Sequence, residues 1–223
     1  MQKLVLFDFD GTLADSAPDL AAAANRLRLE RGLEPLPYAA LRPYASHGAR
    51  GLLKVALDIN VDDADYEAYK KKFLLDYEQN MTQLTTLFDG VDTMLAALSD
   101  AGLPWGIVTN KTEYLTRPLV EHLGLSQNCV VLVGGDTTPH IKPHPASLLH
   151  AAAAVNIEPR HCIYIGDDQR DIQAGKAANM ATVVAAYGYC DFDPAIATWE
   201  ADNVVNSPTE VPAAVEKWAT AQV

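Results

Sequence analysis

The sequence predicts an α/β protein, a doubly wound parallel-sheet (Rossmann-like) core with an inserted all-helical cap. Two observations carry that reading. Short apolar runs of strand length alternate with segments of helical length and pattern, which is the signature of βαβ units and a parallel sheet covered on both faces. One long interval then breaks the alternation, and only helical patterns fill it.

The first run, Lys3–Phe7, ends at Asp8 and is followed by Gly11, so it reads as a buried strand that stops in a turn. Similar runs recur at Trp105–Thr109, Val130–Gly134, Cys162–Gly166 and Ala181–Ala185. Between them, Val91–Ala101, Tyr114–Leu123, Ala146–Val155 and Asp168–Ala178 have helical length and spacing. From Asp15 to about Phe88 the pattern is helical throughout. Asp19–Arg31 ends at Gly32, Ala49–Ile59 follows a Gly-containing turn, and Asp63–Asn80 has amphipathic spacing. The expected division is therefore a core of residues 1–14 and 88–223 and a helical insert of residues 15–87; the alternative is that these helices pack on one sheet face.

Composition narrows the function. A chain of 223 residues, 49% hydrophobic and 21% charged, can bury one large core and a smaller appended one. The formal net charge of −12, with no strong Lys/Arg cluster, argues against nucleic-acid binding. Any phosphate handled here must meet local positive charge, and a metal is the natural source. No apolar run reaches the roughly 20 residues of a membrane span, and the N-terminus carries no signal-peptide hydrophobic region. Cys129, Cys162 and Cys190 are too scattered for a metal pair and too few for a disulfide framework, so free thiols and a reducing, cytoplasmic setting are expected.

The chemistry concentrates at strand ends. Phe7-Asp8-Phe9-Asp10-Gly11-Thr12-Leu13 places two carboxylates at the C-terminal end of the first strand, where parallel-sheet proteins bind ligands. Two carboxylates there repel and lose hydration, so a cation is expected to share the site. Gly166-Asp167-Asp168-Gln169-Arg170-Asp171 repeats the arrangement after another apolar run. Carboxylates and backbone carbonyls suit Mg²⁺, and Asp8 and Asp167 meet that demand if their strands are neighbours. Asp168 and Asp171 taken alone would read as helix N-terminal residues. Thr109 with Asn110 and Lys111, and Lys142 between its flanking residues Ile141 and Pro143, supply hydroxyl, amide and ammonium donors for a phosphoryl group. Lys142 is the better placed of the two lysines, on a loop stiffened by Pro143 and Pro145.

These four motifs, in this order, resemble the haloacid dehalogenase superfamily of phosphatases over nearly the whole chain. The resemblance implies that Asp8 attacks phosphorus to form an aspartyl phosphate and that Asp10 protonates the leaving oxygen and then activates water. It implies Mg²⁺ held by Asp8, the Asp10 carbonyl and Asp167, with Asp168 and Asp171 in an outer shell, and a cap formed by the insert. A carboxylate nucleophile is already ionised near neutrality, and a covalent intermediate divides the displacement into two easier steps. Within the superfamily, Val108-Thr109-Asn110-Lys111, Gly134-Gly135-Asp136, Lys142-Pro143-His144-Pro145 and Tyr187-Gly188-Tyr189 look like phosphoglycolate phosphatases. Gly48-Ala49-Arg50, Trp105-Gly106 and Trp199 with Ala201-Asp202 look like the bacterial phosphatases of N-acetylmuramic acid 6-phosphate. Both substrates are small phosphomonoesters that also bear a carboxylate, so a cap cation is expected, with Arg50 and neighbouring His47 as candidates.

Other classes fit less well. A phosphorelay receiver would not carry its acceptor beside the first acidic pair, nor a large helical insert. A sugar phosphomutase would share the catalytic residues and release little inorganic phosphate. A dehalogenase would lack the acid at Asp10, and a binding module has no use for the full set of aspartates.

Overall fold

Five of the apolar runs become strands of one sheet. The computed structural model describes residues 2–190 and 194–221. In its first part, β1 (Leu4–Phe7) and β2 (Ala14–Asp15) lead into α1 (Ala17–Glu30), α2 (Tyr38–Leu41), a 3-10 segment Arg42–His47, α3 (Gly48–Leu57) and α4 (Tyr66–Asn80). There follow β3 (Thr86–Leu87), α5 (Val91–Asp100), β4 (Trp105–Val108), α6 (Glu113–His122), β5 (Cys129–Val133) and α7 (Ala146–Ala154). The last part holds β6 (Cys162–Gly166), α8 (Gln169–Ala177), β7 (Ala181–Ala185), β8 (Asn203–Val205) and α9 (Val211–Ala221).

The main sheet has six strands in the order β5-β4-β1-β6-β7-β8, and every pairing in it is parallel. β1 lies between β4 and β6, with Phe7 opposite both Ile107 and Ile165. Strand order therefore reverses at β1, and the tips of β1, β4 and β6 open on one crevice. All four β1 side chains are fully buried. Leu4 and Leu6 join α7, α8, Tyr164 and Val108 in one cluster. Val5 and Phe7 face the other side by the two-residue period, where Phe7 meets Trp105 edge-on with centroids 6.5 Å apart. Burial of each such side chain contributes on the order of 2 kcal/mol, so the end of β1 is a firm anchor for Asp8.

The chain divides into two compact units, Met1–Ala14 with Leu87–Val223, and Asp15–Thr86. The second unit is helical: α1 packs on α3 and α4, around Leu20, Ala24, Leu27, Leu52, Leu53, Phe73 and Tyr77. Arg26 on α1 grips the Asp76 carboxylate of α4 with its Nε, at 2.9 Å and 2.7 Å from the two oxygens. Asp19, the first residue of the expected first helix, lies inside α1 instead and is buried. Its carboxylate accepts the Leu84 and Thr85 N–H groups and the Thr85 hydroxyl, pinning the end of the unit's chain to its beginning.

Several elements escaped the sequence pattern. β2 and β3 are two-residue strands that pair with each other, within an interval expected to be strand-free. β8 adds an edge strand beyond β7, and α9 closes the described chain. All three cysteines are free thiols. Among the described residues no helix is long and apolar enough to cross a membrane.

Candidate active site

β1 delivers Asp8 one residue past its last ladder position. The Asp8 N–H still donates to Ile165 O of β6 at 2.8 Å, while its Oδ1 accepts the Phe9 N–H at 2.7 Å. The chain then turns tightly: Gly11 N–H donates to Ala14 O, and Gly11 adopts φ +85°. Glycine is required there twice over, by the positive φ and because a Cβ would overlap the Asp167 carboxylate.

Lys142 is the pivot of the site. Its side chain is 2% exposed, and its ammonium lies 2.9 Å from Asp8 Oδ1 and 2.7 Å from Asp171 Oδ1. It also donates to the Tyr164 hydroxyl at 2.8 Å, and that hydroxyl donates on to Val108 O at 2.7 Å. The side-chain amide of Asn110, a residue expected to bind phosphate, is paired at both ends with the Lys142 main chain: Nδ2 donates to its carbonyl at 3.0 Å and Oδ1 accepts its N–H at 2.9 Å. The tip of β4 therefore fixes the loop that carries Lys142. Thr109 is buried beside it, its hydroxyl accepting the Lys111 N–H at 3.2 Å. Lys111, the less favoured lysine by sequence, has its own partner here: Nζ lies 3.0 Å from Asp10 Oδ1, with both side chains largely buried.

β6 supplies the third acidic group. Asp167 is 1% exposed and held on both oxygens, Oδ1 by the Thr12 hydroxyl at 3.0 Å and Oδ2 by the Tyr189 N–H at 2.8 Å. Tyr187 donates its hydroxyl to Thr12 O at 3.0 Å, and a Cβ on Gly188 would overlap both Gly11 O and Asp167. The Tyr187–Tyr189 segment is thus a template for Asp167. Asp168 caps α8, its Oδ1 accepting the Arg170 N–H at 2.9 Å; Asp171 completes a capping box by accepting the Asp168 N–H at 3.0 Å. The Asp168 carboxylate is also gripped by the Arg170 guanidinium, at 2.8 Å and 2.7 Å. Asp171 has one oxygen on Lys142 and the other on the Asp168 N–H.

Carboxylate oxygens of Asp8, Asp167 and Asp171 lie within 4.8 Å of one another. Such a group suits a hard divalent cation, and burial with mutual repulsion raises two of its three carboxyls. Burial, with Lys142 opposing and Asp171 adding repulsion, pushes the Asp8 carboxyl up to about 7. Burial, then repulsion from Asp8 and Asp171, holds Asp167 well above the usual carboxylate range. Burial alone would lower the Lys142 ammonium, but Asp171 and Asp8 raise it, so it stays charged. For Asp168, burial is outweighed by the Arg170 bonds and the carboxyl is lowered. Burial and the nearby Asp171 keep the Tyr164 phenol protonated, as a donor to Val108 needs.

The structure thus brings Asp8, Asp167, Asp171 and Lys142 into direct proximity, with Asp10, Thr109, Asn110 and Asp168 joined to them through bonded neighbours. His47 and Arg50 belong to the helical unit, His47 ending the 3-10 segment and Arg50 in the first turn of α3, both exposed. The Lys111–Asp10 pair, the Asn110 clamp, the Thr12 and Tyr189 bonds to Asp167 and the Arg170 grip on Asp168 are missing from the sequence reading. Each joins residues distant along the chain or depends on side-chain direction, and only the Tyr-Gly-Tyr phrase gave any hint.

A carboxylate trio and a buried ammonium at the switch in strand order make a doubly wound α/β fold with a site suited to an anion held together with a cation. The haloacid dehalogenase-like hydrolase family matches residues 5–185, and this chain belongs to it. It is 47% identical over 209 residues to the phosphoglycolate phosphatase of Xanthomonas campestris pv. campestris strain 8004, covering 94% of each chain. It is 38% identical over 209 residues to the N-acetylmuramic acid 6-phosphate phosphatase of Pseudomonas aeruginosa, covering 94% of this chain and 92% of that one. Among solved structures, that of a predicted phosphoglycolate phosphatase from Haemophilus somnus 129pt aligns with a TM-score of 0.84 at 27% identity, over 96% of this chain and 98% of that chain.

Proposed function

We propose that this protein is a Mg²⁺-dependent phosphatase that hydrolyses a small phosphomonoester bearing a carboxylate, of the phosphoglycolate kind, through an aspartyl phosphate on Asp8. The chain is a phosphatase by its family and relatives. The observation that carries the mechanism is the Asp8 carboxylate, seated at the end of β1 against the buried Lys142 ammonium. Such a seat holds a nucleophile in one orientation and keeps a positive charge beside the attacked group.

In this reading Asp8 forms a bond to phosphorus as the ester oxygen departs, and Asp10 gives that oxygen its proton. Asp10 then takes a proton from the water that cleaves the acyl phosphate, which returns Asp8 and releases inorganic phosphate. Asp8, the Asp10 carbonyl and Asp167 would hold the metal, which supplies charge neutralisation for the phosphoryl oxygens. Asp171 serves Lys142 and the α8 cap with its two oxygens, which suits an outer role, as the Arg170 grip suits one for Asp168. Thr109 and the main chain of Asn110 and Lys111 receive phosphoryl oxygens, while the Asn110 side chain acts by fixing Lys142. The Lys111 ammonium holds Asp10 until substrate arrives.

The unit Asp15–Thr86 is read as the cap, with Arg50, assisted by His47, meeting the substrate carboxylate. A second reading is favoured by the 38% identity to the N-acetylmuramic acid 6-phosphate phosphatase: the same chemistry with a larger leaving group. Comparison of kcat/KM for 2-phosphoglycolate, N-acetylmuramic acid 6-phosphate and several sugar monophosphates tests both. Preference for 2-phosphoglycolate, with a roughly tenfold or larger KM increase in Arg50→Ala, supports the first reading. Preference for the amino sugar supports the second, and equal turnover of neutral sugar phosphates would remove the carboxylate requirement altogether. A mutase is refuted by stoichiometric release of inorganic phosphate.

A further inference from the structure

The strands that aim Asp8 and Asp167 at the crevice begin at the opposite edge of the sheet, and a second cavity of ≈ 480 Å³ opens there. It falls at the N-terminal ends of β6 and β7, and α9 forms another wall. Its volume lies in the range of small-molecule sites, roughly 300–1,000 Å³. Ile163, Met180 and Ala214 give it an apolar lining, while Arg160, Lys217 and Trp218 bring cations and an aromatic ring.

Three properties select its ligand. First, the charge is inverted relative to a chain of net charge −12: the lining holds two cations and a single carboxylate, Asp202. That carboxylate is already engaged, accepting the Thr182 N–H at 2.8 Å and hydroxyl at 3.1 Å. Second, Arg160 pairs with Glu158, at 2.7 Å, and both side chains are more than half exposed; an exposed pair of this kind exchanges readily for a better anion. Third, Trp218 lines the cavity, and its ring offers a flat apolar surface against which an aromatic body can stack. Trp218 is meanwhile fixed from its own side, since the Lys3 ammonium lies 5.5 Å from its ring centroid and bonds Ala219 O.

We propose that this cavity binds a small organic anion with an apolar body, its charge toward Arg160 and Lys217 and its apolar part against Ile163, Met180 and the Trp218 ring. The site is separate from the aspartate cluster and stands whether or not the phosphatase substrate is the one proposed above.

The probe is 8-anilinonaphthalene-1-sulfonate, an aromatic anion of suitable size, titrated into the full chain with saturating Mg²⁺. Expected is saturation at one probe per chain, with energy transfer from tryptophan that Trp218→Phe reduces. Arg160→Glu and Lys217→Glu should each weaken binding about tenfold or more, while phosphatase turnover, which reports on the fold, stays at the wild-type level. Orthovanadate, an analogue for the catalytic site, should leave probe binding unchanged. Binding that is non-saturating, indifferent to both charge reversals, or displaced by orthovanadate would overturn the proposal.

Discussion

Replacing Asp8 by asparagine should stabilise the metal-free protein while destroying its activity, and the gain should depend on pH in a defined direction. The Asp8 carboxyl has an ordinary value of 3.8 and is pushed up to about 7 in the fold, chiefly by burial. Between those values the native chain keeps a proton that the unfolded chain has released, so stability falls as pH rises through that window. Linkage gives a penalty of roughly 1.5–2 kcal/mol at pH 5 and roughly 4 kcal/mol at pH 8, a difference of about 2–3 kcal/mol. The amide that replaces the carboxyl has no such titration, and Lys142 keeps Asp171 as its partner at 2.7 Å. Urea unfolding in EDTA at pH 5, 6, 7 and 8 should therefore show wild type losing ground to Asp8→Asn by about that difference, with equal m-values. Saturating Mg²⁺ should narrow that gap at pH 8, because a ligand at a hundred times its Kd stabilises the native state by about 2.7 kcal/mol and the variant lacks one carboxylate to hold it. Parallel curves for the two proteins in EDTA would refute the claim that Asp8 is strained by its burial among like charges.

Lys142→Met should cost about 3–5 kcal/mol in urea unfolding at pH 8, since it leaves Asp8 and Asp171 buried without their shared cation; a loss below about 1 kcal/mol would show that the ammonium is dispensable. Gly188→Ala should destabilise by about 1–3 kcal/mol and weaken Mg²⁺ binding in calorimetry, because its Cβ collides with Asp167 and Gly11; wild-type Mg²⁺ affinity would mean that the Tyr187–Tyr189 template does not set Asp167. Asp10→Asn should slow formation and hydrolysis of the acyl phosphate by about 10²–10⁴ each, read by rapid quench; a change in only one step would divide the acid and base roles between residues.

The sheet was legible because its central strands are buried on both faces. Runs such as Leu4–Phe7 and Cys162–Gly166 have no polar face to interrupt them, so their ends fall within a residue or two of the apolar boundaries. β8 lacked that signal: it spans three residues at an edge, begins with Asn203, and leaves Val204 40% exposed. β2 and β3, at two residues each, are too short for any periodicity. In the site, residue types at strand tips could be read along the chain, since a carboxylate after an apolar run signals its position by itself. Their partners could not. That Asn110 would turn its amide on Lys142, 32 positions away, and Thr12 its hydroxyl on Asp167, 155 positions away, follows from which strands are neighbours.

Charge bookkeeping at the crevice argues for a divalent ion more strongly than any single distance. Asp8, Asp10, Asp167, Asp168 and Asp171 face Lys111, Lys142 and Arg170, and the ion pairs assign each cation: Lys111 to Asp10, Lys142 to Asp8 and Asp171, Arg170 to Asp168. Among the described residues Asp167 receives neutral donors, a hydroxyl and an amide, and one lysine divides its charge between two aspartates. The deficit is about two charges and sits between Asp8 and Asp167, where repulsion already drives both carboxyls upward. A further lysine would cancel only half of it. One doubly charged ion would cancel it all, and because the chain as a whole is strongly acidic, such local neutralisation would ease the approach of a phosphate to Asp8.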